Sequence, residues 1–216
     1  MASHELKTPV TALKGFTQLL KRRFKRQGDE ESYRFLDRME TQLDRLTKLI
    51  SEMLDISKMQ TGQLEYHMEA FDLGALAQEI VENVQGTSQT HQLILPETLQ
   101  VRVFGDRDRI GQVLINLLTN AIKYSPGADQ VLIQISTDET NVLVSVQDFG
   151  IGIDEAYYEK IFERFYQVNE PIEKTYPGLG IGLYISHEII KRHQGRLWVQ
   201  SQKGQGSTFT FCLPLS

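Results

Sequence analysis

Leu6, Val10, Leu13, Thr17, Leu20 and Phe24 follow one another at alternating steps of four and three residues, and the rhythm resumes through Leu36, Leu43, Leu46, Ile50 and Met53. A repeat near 3.5 residues keeps all of these side chains on one stripe of an α-helix and favours left-handed supercoiling. Between the two runs lies Gln27-Gly-Asp-Glu-Glu, where Gly28 can end one helix and Asp29 can cap the next. The spacing predicts two antiparallel helices, over residues 3–26 and 32–58. Phe16, Leu19, Met39 and Leu49 widen the stripe beyond what one partner helix covers, so the expected state is a four-helix bundle made by a symmetric homodimer. The basic run Lys21–Arg26 reads as a solvated helix face.

Gln60-Thr-Gly-Gln63 interrupts this rhythm, and the charge balance changes with it. Residues 1–62 carry 12 lysines and arginines against 9 aspartates and glutamates, whereas the remainder carries 11 against 19. Two domains are therefore expected, 1–62 and 63–216. An acidic majority and a net charge of −5 argue against nucleic-acid binding. No run of about 18 apolar residues is present, and the N-terminus lacks the layout of a secretory signal, so no membrane crossing is expected in this chain. The single cysteine, Cys212, excludes an internal disulfide and a multi-cysteine metal site, and its place in an alternating strand reads as an inert core thiol.

Beyond the boundary, residues 64–71 alternate as a strand, Asp72 caps a helix reaching Gln85, and strands over 91–95 and 99–104 precede a helix over 106–124. Strands over 130–137 and 142–148, a short helix over 156–162, a helix over 182–193 and strands over 196–202 and 207–213 complete the order. The whole is α+β: a helical hairpin followed by a two-layer α/β sandwich, one mixed sheet covered on a single face by helices.

Four stretches carry candidate chemistry. On the helix over 106–124, Ile110, Val113, Leu114, Leu117 and Ala121 form an apolar stripe at about 100° per residue, with Asn116, Asn120 and Lys123 gathered beside it. Amide oxygens suit a hard divalent cation and an ammonium suits phosphate, so this margin fits a magnesium triphosphate; alone, it is equally an ordinary polar edge. Asp148 continues the inward face of Val142, Val144 and Val146, where a carboxylate needs a donor, and the exocyclic amine of adenine is one. Phe149-Gly-Ile-Gly152 then lets backbone approach a flat ligand, although a strand-ending Asp followed by a glycine turn is also a common arrangement. The long segment 154–179 reads as a lid, and Gly178-Leu-Gly-Ile-Gly-Leu183 opens the following helix with backbone N–H groups available to phosphate. Near the start, Pro9 is expected to kink the helix and expose His4, whose imidazole beside Glu5 can serve as a nucleophile; by itself it is a surface histidine near a helix end.

The set His4-Glu-Leu-Lys-Thr-Pro9, Asn116-x-x-x-Asn120-Ala-x-Lys-Tyr124, Asp148-x-Gly-x-Gly152, Ile161-Phe-Glu-Arg-Phe165 and Gly178-x-Gly-x-Gly182 resembles the catalytic core of two-component sensor histidine kinases over nearly the whole chain. The resemblance implies a dimerisation and histidine-phosphotransfer hairpin followed by a Bergerat-type ATP-binding domain. It implies that His4 is the phosphoacceptor, Glu5 its acid/base partner, Thr8 a residue for dephosphorylating a response regulator, and Arg164 a contact to the γ-phosphate. Asn116 and Asn120 would hold Mg2+ and phosphate, Lys123 phosphate, and Tyr124 the nucleotide. Asp148 would bind the adenine amine, Gly150 and Gly152 would shape that wall, and Gly178, Gly180 and Gly182 would hinge the lid. Ile153 and Leu183 complete the implied ATP/ADP-contacting set. Partners implied are a second copy and a response-regulator receiver domain, in the cytoplasm, with a sensory region and any membrane anchor outside this chain. Lys7, Gln167 and Leu179 depart from the usual arginine, arginine and threonine, which bears on catalytic rate. Two other classes share parts of this pattern: an ATPase of the topoisomerase or mismatch-repair type, and a catalytically silent dimeric scaffold that binds ADP.

Overall fold

The computed structural model describes residues 2–96, 99–168 and 179–215, with side chains from Thr8 onward. The chain divides into two compact units, Met1–Leu64 and Glu65–Ser216.

The first unit is the hairpin of α1 (Ala2–Gln27) and α2 (Glu30–Gln60). Gly28 takes a left-handed φ of 72°, and the Asp29 carboxylate accepts from the backbone N–H and the hydroxyl of Ser32 at 3.0 and 2.7 Å, so the stop and the cap fall where their chemistry places them. α1 runs through Pro9 as unbroken helix, so the proline deletes one donor without ending the helix. Between the helices, Lys14 meets Asp44 at 2.6 Å, and Lys21 bridges Asp37 and Glu40 at 2.5 and 2.8 Å. Lys21 thereby leaves the solvated basic run and becomes an inter-helix tie. Only Val10, Thr17, Leu36 and Ile56 are buried among the described side chains of this unit, while Phe16 and Leu19 remain 63% and 64% exposed.

In the second unit, β1 (Met68–Asp72), α3 (Leu73–Gln85), β2 (Gln92–Ile94), β3 (Arg102–Asp106), α4 (Arg107–Lys123), β4 (Gln130–Thr137), β5 (Asn141–Gln147), α5 (Gly182–Arg192), β6 (Arg196–Gln202) and β7 (Gly206–Pro214) follow in order. The main sheet runs β2-β4-β5-β7-β6, with β2 parallel to β4 and the other pairs antiparallel. β1 and β3 form a separate antiparallel ribbon, where a single mixed sheet was the expectation. The cause lies at Asp106, which ends β3 and caps α4 at once: its carboxylate accepts from the Arg109 N–H at 3.0 Å, and its own N–H donates to His193 Nε2 at 2.8 Å. The ribbon is thereby held at the helix ends instead of in the sheet.

α4 packs between α3 and α5. Ile110, Val113, Leu114, Leu117 and Leu118 of α4, Leu73 and Leu76 of α3, and Ile189 and Ile190 of α5 are buried with Val131, Ile133, Val142, Val144 and Phe211 of the sheet. Each such side chain contributes roughly 1.5–3 kcal/mol through removal from water. Cys212 is only half-buried and alternates out of register with Phe211 and Leu213, so it is not the core thiol that the pattern suggested. The helix expected over 156–162 is two 3₁₀ turns, Glu155–Tyr157 and Lys160–Phe162. Tyr158, between them, turns its hydroxyl onto the backbone of Ser201, accepting from its N–H at 2.9 Å and donating to its carbonyl.

His193 accepts from Asp106 N–H and donates from Nδ1 to the Ile189 carbonyl at 2.7 Å while buried, so both ring nitrogens are used. Replacing it leaves a buried backbone donor unmet, a loss of about 1–3 kcal/mol. His193→Ala is expected to lower the urea midpoint of the second unit accordingly, read through Trp198, the chain's single tryptophan.

Candidate functional site

The site is built outward from the end of β5. Val144 and Val146 face Phe211 and Phe209 of β7 across the sheet, and the same alternation brings Asp148 inward, where it is 4% exposed. Its Oδ1 accepts from the N–H of Gly150 at 2.9 Å and of Ser207 at 3.3 Å, and its own N–H donates to the Ser207 carbonyl at 2.9 Å. Burial pushes the carboxyl above the ordinary aspartate range, and the two N–H donors pull against that shift. Among the described residues no basic side chain pairs with it. Oδ2 takes no hydrogen bond from them either and is not sealed from solvent, so one acceptor at the end of an apolar strand stays open.

Glycines fix what surrounds that acceptor. A Cβ at Gly150 would lie 2.0 Å from the Tyr124 carbonyl oxygen and 2.7 Å from Ser125 Cα, and the Ile151 N–H donates to the Tyr124 carbonyl at 3.1 Å. Gly152, at a φ of 63°, lies equally close to the Gln202 carbonyl, and the next residue, Ile153, donates its N–H to Ser201 Oγ at 2.8 Å. The close approach read from sequence as one toward a ligand is therefore also an approach of backbone to backbone. It welds the turn after β5 to the C-terminal end of α4 on one side and to the β6–β7 turn on the other.

α4 supplies the polar margin. Asn116, Asn120, Lys123 and Tyr124 are all half-buried. The Asn116 amide donates to Ser186 Oγ of α5 at 3.0 Å and lies where a Cβ on Gly182 would stand, so Gly182 makes room for it. Hydrogen bonds from the described residues leave the Asn120 amide unoccupied. Lys123 donates to the Tyr124 hydroxyl at 2.9 Å and lies 4.6 Å from the centroid of that ring, with no carboxylate against it among the described residues. Two amides and an uncompensated ammonium thus stand in a row, and no cluster of three or more His, Cys, Asp or Glu occurs among the described residues. That donor set fits a magnesium ion that draws most of its ligands from phosphate and water.

Other expected residues are placed less closely. Arg164 is exposed and stacks 4.8 Å over Tyr184 in the first turn of α5. Leu183 is half-buried beside it in sequence. Gly180, at a φ of 67°, meets the Tyr166 carbonyl, so the two flanks of the intervening segment come together there. Gly178 and the middle of the expected lid, residues 169–178, lie outside the described residues. His4 and Glu5 stand near the start of α1 with their side chains likewise outside, and Thr8 is exposed on the same helix.

Residues 105–216 match the family of Histidine kinase-, DNA gyrase B-, and HSP90-like ATPases, and residues 1–62 match the His Kinase A (phospho-acceptor) domain. The chain belongs to the sensor histidine kinases. It is 34% identical over 218 residues to the sensor histidine kinase WalK of Bacillus subtilis strain 168, covering 98% of this chain and 35% of that protein. The solved histidine kinase AdeS of Acinetobacter baumannii matches at 28% identity with a TM-score of 0.66, over 99% of this chain and 98% of that one. The fold alone is shared with full-length ShkA in complex with AMPPNP, at 24% identity and a TM-score of 0.78, over 100% of this chain and 45% of that one. The chain spans between 29% and 58% of the length of the curated relatives it matches.

In this sensor histidine kinase core, sequence reasoning missed Ser207, whose N–H completes the hold on Asp148. The signal was present in Gly204-Gln-Gly-Ser207: Gly206, at a φ of 96°, lets its own backbone lie against the Asp148 carbonyl and so delivers the next N–H to the carboxylate. It also missed His91 and Ser125, joined across 34 positions, for which no local spacing exists. Gly150→Ala would press a methyl into the Tyr124 carbonyl. A loss of about 3 kcal/mol in the unfolding free energy of the second unit, or a shift of the turn that weakens ATP binding at least tenfold, is the expected outcome, measured by denaturation and by calorimetric titration.

Proposed function

We propose that this chain is an ATP-dependent protein-histidine kinase that phosphorylates His4 and passes the phosphoryl group to an aspartate of a response-regulator receiver domain. The observation that carries the reading is the Asp148 carboxylate, buried yet unpaired with any base among the described residues, with Oδ2 left for an amine. In this reading Asp148 accepts from the exocyclic amine of adenine, with Ile153 and Leu183 as apolar neighbours of the base. Tyr124 and Lys123 mark the path from base to phosphates. Residues 1–62 act as dimerisation and phosphotransfer domain and residues 63–216 as ATP-binding domain.

One nitrogen of His4 forms a bond to the γ-phosphorus as the bond to the β,γ-bridging oxygen breaks. ADP leaves with that electron pair, and Glu5 receives the proton that the imidazole gives up. Lys123 and Arg164 offset charge on the transferring group. Magnesium, when bound, neutralises triphosphate charge, and Asn120 and Asn116 are the residues that would hold it. A receiver carboxylate then takes the phosphoryl group from His4, and Thr8 serves the reverse duty of positioning water for dephosphorylation. The exposed Phe16, Leu19, Phe35 and Met39 support a homodimer through the hairpin. No helix among the described residues is long and apolar enough to cross a membrane, and we place the reaction in the cytoplasm, where ATP and receiver domains meet.

Incubation with γ-labelled ATP is expected to give label on protein that is lost in acid and kept in base. His4→Gln abolishes that label while keeping nucleotide affinity, and Asp148→Asn loses both. Acid-stable label would reject histidine as acceptor, and nucleotide binding without any label would instead identify a silent scaffold.

Acidification tests the carboxylate separately. Because burial raises the Asp148 pKa, the group takes up a proton at a higher pH than a surface aspartate. The ionised form is the acceptor for an amine, so binding is full above the raised pKa and falls as pH drops through it. Adenosine, which has no phosphate to titrate, is the ligand of choice, and an affinity flat across the acidic range would remove Asp148 from the adenine contact.

A further inference from the structure

One buried histidine has no part in the kinase reading. His91 immediately precedes β2 and is 5% exposed. Its Nε2 is 2.9 Å from the Ser125 carbonyl oxygen and 3.0 Å from Ser125 Oγ, and its Nδ1 is 2.9 Å from Thr90 Oγ1. Ser125 is fully buried, and its hydroxyl proton goes to the Ala121 carbonyl at 2.5 Å. Both Ser125 oxygens therefore face His91 as acceptors, which requires the proton on Nε2 and leaves Nδ1 to accept from the Thr90 hydroxyl. The loop that presents His91 is itself braced: Gln85, at the end of α3, donates to the His91 carbonyl at 3.0 Å and accepts from the Leu93 N–H at 2.7 Å.

Ser125 is where the two halves of the site join. It follows Tyr124 at the end of α4, the helix that carries Asn116, Asn120 and Lys123. Against its Cα packs Gly150, whose N–H holds Asp148 Oδ1. Gly150 has no side chain to absorb a shift, and Ile151 is tied to the Tyr124 carbonyl, so a displacement of Ser125 passes directly into the carboxylate. We propose that His91 is a positioning residue of the nucleotide site, setting through Ser125 the distance between the purine-binding acid after β5 and the phosphate-facing margin of α4.

This inference rests on the nucleotide reading of Asp148, and the experiment separates the two. His91→Gln places an amide nitrogen the same number of bonds from Cβ as Nε2 and keeps a donor toward Ser125. His91→Asn keeps a polar group near Thr90 but no longer reaches Ser125. Binding of trinitrophenyl-ATP to the folded fraction and the KM for ATP in autophosphorylation are read on the full chain, with thermal unfolding of the unliganded protein in parallel. Loss of the buried hydrogen bond to Ser125 unsettles contacts on both sides of the nucleotide, a cost on the order of tenfold in affinity. His91→Asn is thus expected to raise Kd and KM about tenfold with kcat changed less than about threefold, and His91→Gln to stay within about threefold of wild type. Ser125→Ala removes one of the two acceptors without touching β2 and is expected to raise Kd about threefold; it carries the test if His91→Asn does not fold, and wild-type affinity would then reject the proposal. A lower melting temperature with unchanged Kd and KM in His91→Asn would make His91 a structural residue and overturn the inference, as would equal weakening by Asn and Gln. Failure of wild type to bind, or Asp148→Asn binding as well as wild type, would instead overturn the nucleotide reading itself.

Discussion

A carboxylate at the end of a valine-lined strand is tolerated only if donors meet it, and in this protein the donors are backbone. Gly150 and Ser207 bring their N–H groups to one oxygen of Asp148, which requires two other chain segments to lie within van der Waals reach of the strand end. Gly150 and Gly206 make that reach possible, since a Cβ at either would stand about 2 Å from a carbonyl oxygen. The acid, the turn after β5, the β6–β7 turn and the end of α4 are consequently one mechanical unit. Its charge is held by groups that cannot rotate away, and its second oxygen is left over. A basic side chain in place of those two amides would have satisfied the acid and closed the site.

α4 is the beam on which this unit rests. Its apolar stripe is buried between α3, α5 and the sheet, so the polar margin beside it cannot turn without exposing Leu114, Leu117 and Leu118. Both ends are pinned by histidines acting on backbone. At the N-terminal end His193 accepts from Asp106, the cap of the helix; at the C-terminal end His91 holds Ser125, two residues past Lys123. Together they fix the axial position of the helix that carries Asn116, Asn120 and Lys123.

What was legible in the sequence follows from how far each constraint reaches along the chain. The hairpin is written locally, in heptad spacing with Gly28 and Asp29 between the runs, and α3, α4 and α5 each carry their stripe and, in the first two, an aspartate cap. β4 and β6 were read with the bounds they have, because alternation marks both. The β1–β3 ribbon was not legible, since its separation from the sheet depends on a hydrogen bond between Asp106 and His193, 87 positions apart. The same holds for the break between the two 3₁₀ turns, set by the Tyr158 hydroxyl on Ser201, 43 positions away. Within the site, Asp148 was legible because strand period points it inward. The partners that hold it were not, because which backbone lies against a glycine is decided by topology and leaves no periodic trace. Asn116 shows the intermediate case: the helical wheel puts it beside Asn120, but only the fold reveals that Ser186 and Gly182 occupy it while Asn120 stays open.

The two units solve the burial problem differently, and this bears on how the family's chemistry is divided between them. The second unit closes its own core within one chain, burying Leu73, Leu114, Val131, Ile189 and Phe211 between a sheet face and three helices. The hairpin does not. Val10, Thr17, Leu36 and Ile56 are too few to stabilise two long helices against their conformational entropy, and the wide stripe of Leu13, Phe16, Leu19, Phe35 and Met39 is left in water. The ion pairs of Lys14 and Lys21 lie at the surface, where solvent screens them, and they serve mainly to set the register of α1 on α2. In the proposed homodimer a second copy would supply the missing apolar contact, so that the helix bearing His4 would draw its stability from association, whereas Asp148 is positioned from within one chain.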